Sequence, residues 1–301
     1  MSDPSTAPAR PGVAAEVIVD RHHGRSVRRR ILAWVKGIVL LLVMLVINLP
    51  IILTVINSFR PKNDILSGST LFPRNVSLAN YTAVLGKTQF PHWFLNSVWV
   101  SLIAMAISLV ASGFAGYSLS RYRTKVNAVY SNALMAFQLF PLVLSIIALM
   151  IIFQRVGLTK TFAPAIILYV VMALPFCTWM FKGFFDSIPR ELEEAARVDG
   201  CTSFAAMIRI VLPLAGPGAA AVAIYAFLLA YNEYMVASAF LKSPGGLNTI
   251  SIGLRSFFQQ NTTEWGQILA ASSLAAVPPL VLFLLVQKWM IQGMAAGAVK
   301  G

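Results

Sequence analysis

Long apolar stretches broken by short polar segments set the pattern of this chain. Residues 37–59 carry no charge. Five more charge-poor stretches follow: Thr88 to Ser120, Val126 to Gln154, Thr161 to Phe181, Ile210 to Leu241 and Trp265 to Gln287, with Glu233 the one acid among them. Crossing a ~30 Å hydrocarbon layer takes ~20 helical residues, and each stretch supplies them. Backbone polar groups in lipid must be satisfied within the chain, which forces helices; none of the stretches shows the alternation of a barrel strand. The pattern predicts an all-α integral membrane fold with six transmembrane helices, at about 37–59, 93–119, 129–153, 161–181, 213–240 and 265–287. Pro50, Pro141, Pro175, Pro278 and Pro279 fall in or near spans and predict kinks supported by neighbouring helices. The first run is too long for a signal-peptide core of roughly 7–15 residues, so it reads as an uncleaved span.

Residues 1–30, with Pro, Ala, Ser and the basic run Arg25 to Arg30, read as a disordered cytoplasmic tail. Residues 31–291 form the six-helix domain and 292–301 a short cytoplasmic tail. Lys and Arg set the orientation. One side holds Arg10 to Lys36, then Arg121, Arg123 and Lys125, then Lys182, Arg190, Arg197 and Arg209, then Lys288 and Lys300. The other holds half as many, from Arg60 to Lys87, at Arg155 and Lys160, and at Lys242 and Arg255. This bias places both termini in the cytoplasm.

Composition agrees with a membrane protein. Of 301 residues, 57% are hydrophobic and 12% charged, against roughly 25% charged in soluble chains. Mean hydropathy is +0.73. The net charge of +13 is spread between spans with no basic groove motif, so topology explains it and nucleic acid is not expected. Cys177 and Cys201 read as small packing residues, and His22, His23 and His92 form no metal site.

One polar stretch, 187–213, does not fit a plain loop. Glu191, Glu193 and Glu194 open a short helix where negative charge suits the dipole, and Gly200 can close it. Phe204, Met207, Ile208 and Val211 then place an apolar face on a second helix that Pro213 limits. A helical hairpin this short is marginal alone in water, so it should dock on its own protein or a partner.

The spacing Glu194-Ala195-Ala196, then Gly200, Ile210 and Leu212-Pro213, with Asp199 before the glycine, resembles the EAA loop of ABC importer permeases. Cys201 stands where that family commonly has Ala. The resemblance implies a type I ABC importer permease fold whose coupling-helix hairpin sits in a cleft on a cytoplasmic ATPase subunit. It implies polar contacts from Glu194 and Asp199, close approach at Ala195 and Ala196, a bend at Gly200, and anchoring of the second helix by Ile210 and Leu212. The ending, with Gly297, Val299 and Lys300, is similar to that of the smaller six-span maltose-type permeases, whose tail enters the ATPase dimer interface. A frayed end is the plain alternative.

Leu254 to Gln260 holds Phe257-Phe258 beside Gln259, an exposed aromatic pair suited to a partner or a sugar; interfacial anchoring is the alternative. In maltose-type permeases this region forms a scoop that reaches into the external binding protein. Asn232-Glu233 puts an acid inside a span, at a cost of ~2.5–3.5 kcal/mol if ionised. A helix-bundle hydrogen bond, a place on the translocation path and a proton relay all remain open there.

No Walker A sequence occurs: Gly86-Lys87-Thr88 has Tyr81 where the upstream glycine belongs. No nucleophile–base or carboxylate pair suggests an enzyme. The expected assembly is this permease, a second and different permease, an ABC ATPase dimer that holds the ATP and Mg, and an external substrate-binding protein, in a bacterial inner membrane. The expected cargo is a sugar or oligosaccharide; a sugar phosphate, a polyamine, or a proton-coupled carrier is the alternative. Without a visible internal repeat, the carrier reading is weaker.

Overall fold

The computed structural model describes residues 12–61, 64–65, 75–242, 246–258 and 264–298. The chain divides into two compact units, Met1–Thr54 and Val55–Gly301. The first unit is built on helix α1 (Gly12–Ser58). Residues 12–30, expected to be disordered, continue this helix towards the N-terminus. The span supplies a nucleus, and extending a helix avoids the nucleation cost that makes isolated helices marginal. Pro50 lies inside α1 and contributes no N–H. Near it, Asn48 Nδ2 donates to the Met44 carbonyl at 2.8 Å and Thr54 Oγ1 to the Pro50 carbonyl at 2.8 Å. Polar side chains in the span thus spend themselves on its own backbone.

The second unit is all helix among its described residues. It contains α2 (Ala79–Lys87), α3 (Phe90–Arg121), α4 (Lys125–Leu139), a 3₁₀ turn (Leu142–Ser145), α5 (Ile146–Arg155) and α6 (Ala163–Asp186). Next come α7 (Glu191–Val198), α8 (Ser203–Ala206), a π turn (Met207–Val211) and α9 (Leu212–Leu214). The chain ends with α10 (Gly216–Asn232), α11 (Met235–Phe240), α12 (Ile250–Ser256), α13 (Trp265–Ala275) and α14 (Val277–Ala298).

Among the described residues, four helical segments are long and apolar enough to cross a membrane: Leu32–Ser58, Phe90–Arg121, Ala163–Asp186 and Trp265–Met290. Two bent pairs bring the total to six if each is one span. Lys125–Leu139 and Leu142–Arg155 meet at 86° beside Pro141, and Ser203–Leu214 and Gly216–Asn232 meet at 77°. The fifth stretch is not continuous to 240: it breaks at Glu233 and resumes as α11.

The core of this unit is α3 packed along α6, with α10 laid against both. Small residues permit the approach, as expected where lipid offers no hydrophobic drive between helices. Ser97, Ser101, Ala104, Ser108 and Ser112 of α3 are all buried. At Gly116 a Cβ would lie 2.7 Å from Phe181 Cβ and 3.0 Å from the Lys182 nitrogen, so only glycine fits. Cys177 is buried in this core, and Cys201 is half-buried and unbridged.

Candidate functional site

The polar stretch folds into the bent hairpin its residues predict. Glu191, Glu193 and Glu194 lie in the first turn of α7, where the helix dipole favours them. Gly200 adopts φ +89°. The Cys201 N–H reaches back to the Ala196 carbonyl at 2.9 Å and the Gly200 N–H to Arg197 at 3.1 Å, which completes a Schellman stop. Thr202 then caps α8 through Oγ1, which accepts from the Ala205 N–H at 3.2 Å.

What holds the hairpin is an ion pair absent from the sequence reading. The Glu193 carboxylate is buried between α7 and the end of α3. Its Oε1 accepts from Arg121 Nε, and its Oε2 from the Tyr117 hydroxyl at 2.7 Å. The same guanidinium donates to the carbonyls of Phe185 at 2.9 Å and Ile188 at 3.2 Å, so it also closes the end of α6. Arg190 donates to the Ser120 carbonyl at 2.9 Å. Ser120 Oγ and Lys182 Nζ both bond Asp186, each at 2.6 Å. A buried pair of charges survives only when its remaining donors and acceptors are used, and here they are. The faint signal was Tyr117 and Arg121 four residues apart on one helix face; nothing local pointed from there to Glu193.

The motif residues sit on the outside of this latch. Glu194, Ala195, Asp199 and Gly200 are exposed, and Ala196 faces inward. Leu212 and Pro213 are exposed and Ile210 is half-buried, while Met207 and Val211 pack this helix on its own bundle. Both are buried against Phe181 and Phe185. Of the predicted apolar face, Phe204 and Ile208 point outward; Phe204 stacks on Phe114 at 6.3 Å.

The other candidates lie far from the hairpin. Glu233 does not reach across the bundle. Its carboxylate caps α11, accepting N–H groups of Met235 at 2.9 Å, Val236 at 2.8 Å and Ala237 at 3.2 Å. Asn232 bonds its own helix at the Leu228 carbonyl, at 3.0 Å. Phe257 is not an exposed contact residue: it is buried edge-on to Trp93 at 6.0 Å, because α12 lays its apolar face on α3 and Phe257 continues that face. Phe258 is exposed beside Trp265, and Gln259 lies outside the described residues. Gly297 is helical in α14, while Val299 and Lys300 lie outside the described residues. No cluster of His, Cys, Asp or Glu suited to a metal occurs among the described residues.

Helices long and apolar enough to cross a membrane, with a latched polar hairpin at one end, fit a transport permease. Residues 108–296 match the model of the binding-protein-dependent transport system inner membrane component, and the chain belongs to that family. It is 34% identical over 232 residues to the sulfoquinovosyl glycerol transport system permease protein SmoH of Agrobacterium fabrum, covering 77% of this chain and 81% of that one. It is 32% identical to the maltose/maltodextrin transport system permease protein MalG of Vibrio vulnificus, covering 92% of this chain and 98% of the relative. A solved bacterial ABC transporter that imports the acidic polysaccharide alginate shares the fold, with TM-score 0.71 and 20% identity over 86% of this chain and 96% of that chain. The fold is that of a type I ABC importer permease.

Proposed function

We propose that this chain is one permease subunit of an ATP-driven sugar importer, and that the hairpin 187–213 is where an ATPase subunit drives it. The latch Arg121–Glu193–Tyr117 carries this reading. Because one guanidinium bonds α7 and the ends of α3 and α6 together, a push on the hairpin moves two spans as a body. The exposed Glu194, Ala195, Val198 and Asp199 are left for the partner. The sugar follows from relatives named for maltodextrin and for sulfoquinovosyl glycerol.

In this reading the hairpin and both termini are cytoplasmic. ATP and Mg reside on an ATPase dimer, a second permease completes the pathway, and an external binding protein delivers the solute. Closure of the ATPase dimer turns the spans outward-open and hydrolysis resets them. The tail from Gly297 through Val299 to Lys300 docks in the ATPase interface. The test is disulfide crosslinking from Ala195→Cys in a Cys177→Ala, Cys201→Ser background. A product with the ATPase subunit is expected; labelling by lipid or solvent probes alone would overturn the reading. Glu194→Lys should separate ATP hydrolysis from uptake, and normal uptake in that variant would remove the assigned role.

A further inference from the structure

Near the other end of α3 lies a pocket that the hairpin does not explain. Trp93 and Arg121 stand 28 residues apart on one helix, about 42 Å at 1.5 Å per residue, so this pocket opens at the opposite membrane face. Its space is ≈ 430 Å³, and its lining includes Trp93, Tyr234, Lys242, Asn248, Arg255 and Ser256. The walls are built rather than incidental. Asn96 Nδ2 donates to the carbonyls of Gly246 at 2.7 Å and Asn248 at 2.9 Å, and buried Ser97 accepts the Ile250 N–H at 2.7 Å. A Cβ on Gly253 would lie 2.1 Å from the Trp93 ring, so the indole is pressed against the backbone of α12. Trp93 is buried, and its Nε1 has no hydrogen-bond partner among the described residues.

The charge points one way. Arg255 donates to the Tyr234 hydroxyl at 2.7 Å and lies 5.5 Å from its ring, and Lys242 is on the same rim. No carboxylate is among the described residues that line the pocket. Two cations with no carboxylate among the described lining residues, beside the Tyr234 hydroxyl, fit an anionic sugar unit. We infer that this pocket binds a saccharide carrying a negatively charged substituent, with Arg255 and Lys242 on the anionic oxygens. This rests on the sugar-importer reading and narrows it to a substrate class. The hydroxyl of Tyr234, which accepts from Arg255, keeps its proton to donate to the same group.

The test uses the assembled transporter in nanodiscs of zwitterionic lipid, titrated calorimetrically with digalacturonate and with its uncharged dimethyl ester. The acid should bind and the ester should bind more weakly. Lys242→Gln and Arg255→Gln should each reduce that preference about threefold to tenfold, with the ester unaffected. Equal binding of acid and ester, or binding of neither, overturns the inference. So does a preference that vanishes when anionic phospholipid is added and retained, which would assign the cations to a headgroup. Variants that keep the preference but lose ATPase stimulation by the binding protein would assign them to protein docking, and also overturn it. Wild-type stimulation by the binding protein is measured in parallel: if it persists while neither sugar binds, the importer reading stands and only this inference falls.

Discussion

Arg121, the last residue of α3, and Glu193, in the first turn of α7, form a buried ion pair across 72 residues of chain. Their side chains are 7% and 10% exposed. Breaking such a pair from one side costs about 3–5 kcal/mol, because the remaining charge has no water to turn to. Glu193→Ala should therefore lower the thermal stability of the detergent-solubilised protein and expose the 187–213 hairpin to protease. The double variant Arg121→Met, Glu193→Leu should recover much of the stability, since apolar replacement of a buried pair is often neutral. It should not recover transport coupling, because the carbonyls of Phe185 and Ile188 lose their shared donor. Equal protease resistance of Glu193→Ala and wild type would refute the latch.

Two glycines on α3 give an internal comparison. At Gly116 an added methyl meets Phe181 Cβ at 2.7 Å and backbone at 3.0 Å, neither of which can swing aside. At Gly113 the nearest atom is a Phe181 ring carbon at 3.8 Å, an ordinary contact. Gly116→Ala should destabilise by about 1–3 kcal/mol by forcing α3 and α6 apart. Gly113→Ala should be neutral or slightly stabilising, as alanine is the better helix residue. Melting curves of the two variants in one detergent decide the matter; identical shifts would mean that helix spacing is not set at Gly116.

The spans were legible because lipid imposes a single rule, a long apolar run in helical form, that leaves little for tertiary context to change. The hairpin was legible for a different reason: the first-turn acids and Gly200 mark it with residues whose local chemistry is nearly independent of surroundings. What stayed hidden depended on distance or on one hydrogen bond. Glu193 looked like one of three first-turn acids until Arg121 was placed beside it. Phe257 looked like half of an exposed pair because sequence does not show which face of α12 meets Trp93. The helical 12–30 segment escaped notice because composition ignores an adjoining nucleus.

Glu233 tests whether the acid in the fifth stretch handles protons or holds backbone. Its two oxygens accept three N–H groups at the start of α11, and its own carbonyl accepts from Ser251 Oγ at 2.9 Å. A cap is lost on truncation at about 0.5–2 kcal/mol, while an amide keeps one accepting oxygen. Glu233→Ala should accelerate amide exchange at Met235, Val236 and Ala237. Glu233→Gln should show a smaller change and transport with an unaltered pH profile. A pH profile that flattens in Glu233→Gln would restore the proton-relay reading.

Phe257 and Phe258 are neighbours in sequence with opposite surroundings, and the two alanine variants should part accordingly. Phe257 is 8% exposed and packs with Trp93, Ile250 and Ile268, so its truncation leaves a cavity. Phe257→Ala should cost about 3–5 kcal/mol and lower the yield of folded protein. Phe258 is 56% exposed, and its ring touches Trp265 edge-on at 6.1 Å. Its truncation should change stability by no more than about 0.5 kcal/mol. A surface phenylalanine that contributes little to folding is free to serve a contact, so Phe258→Ala should weaken stimulation of the ATPase by the external binding protein while leaving the melting temperature alone. If stimulation is unchanged in Phe258→Ala, this loop has no aromatic contact with the binding protein, and Phe258 serves only to rest against Trp265.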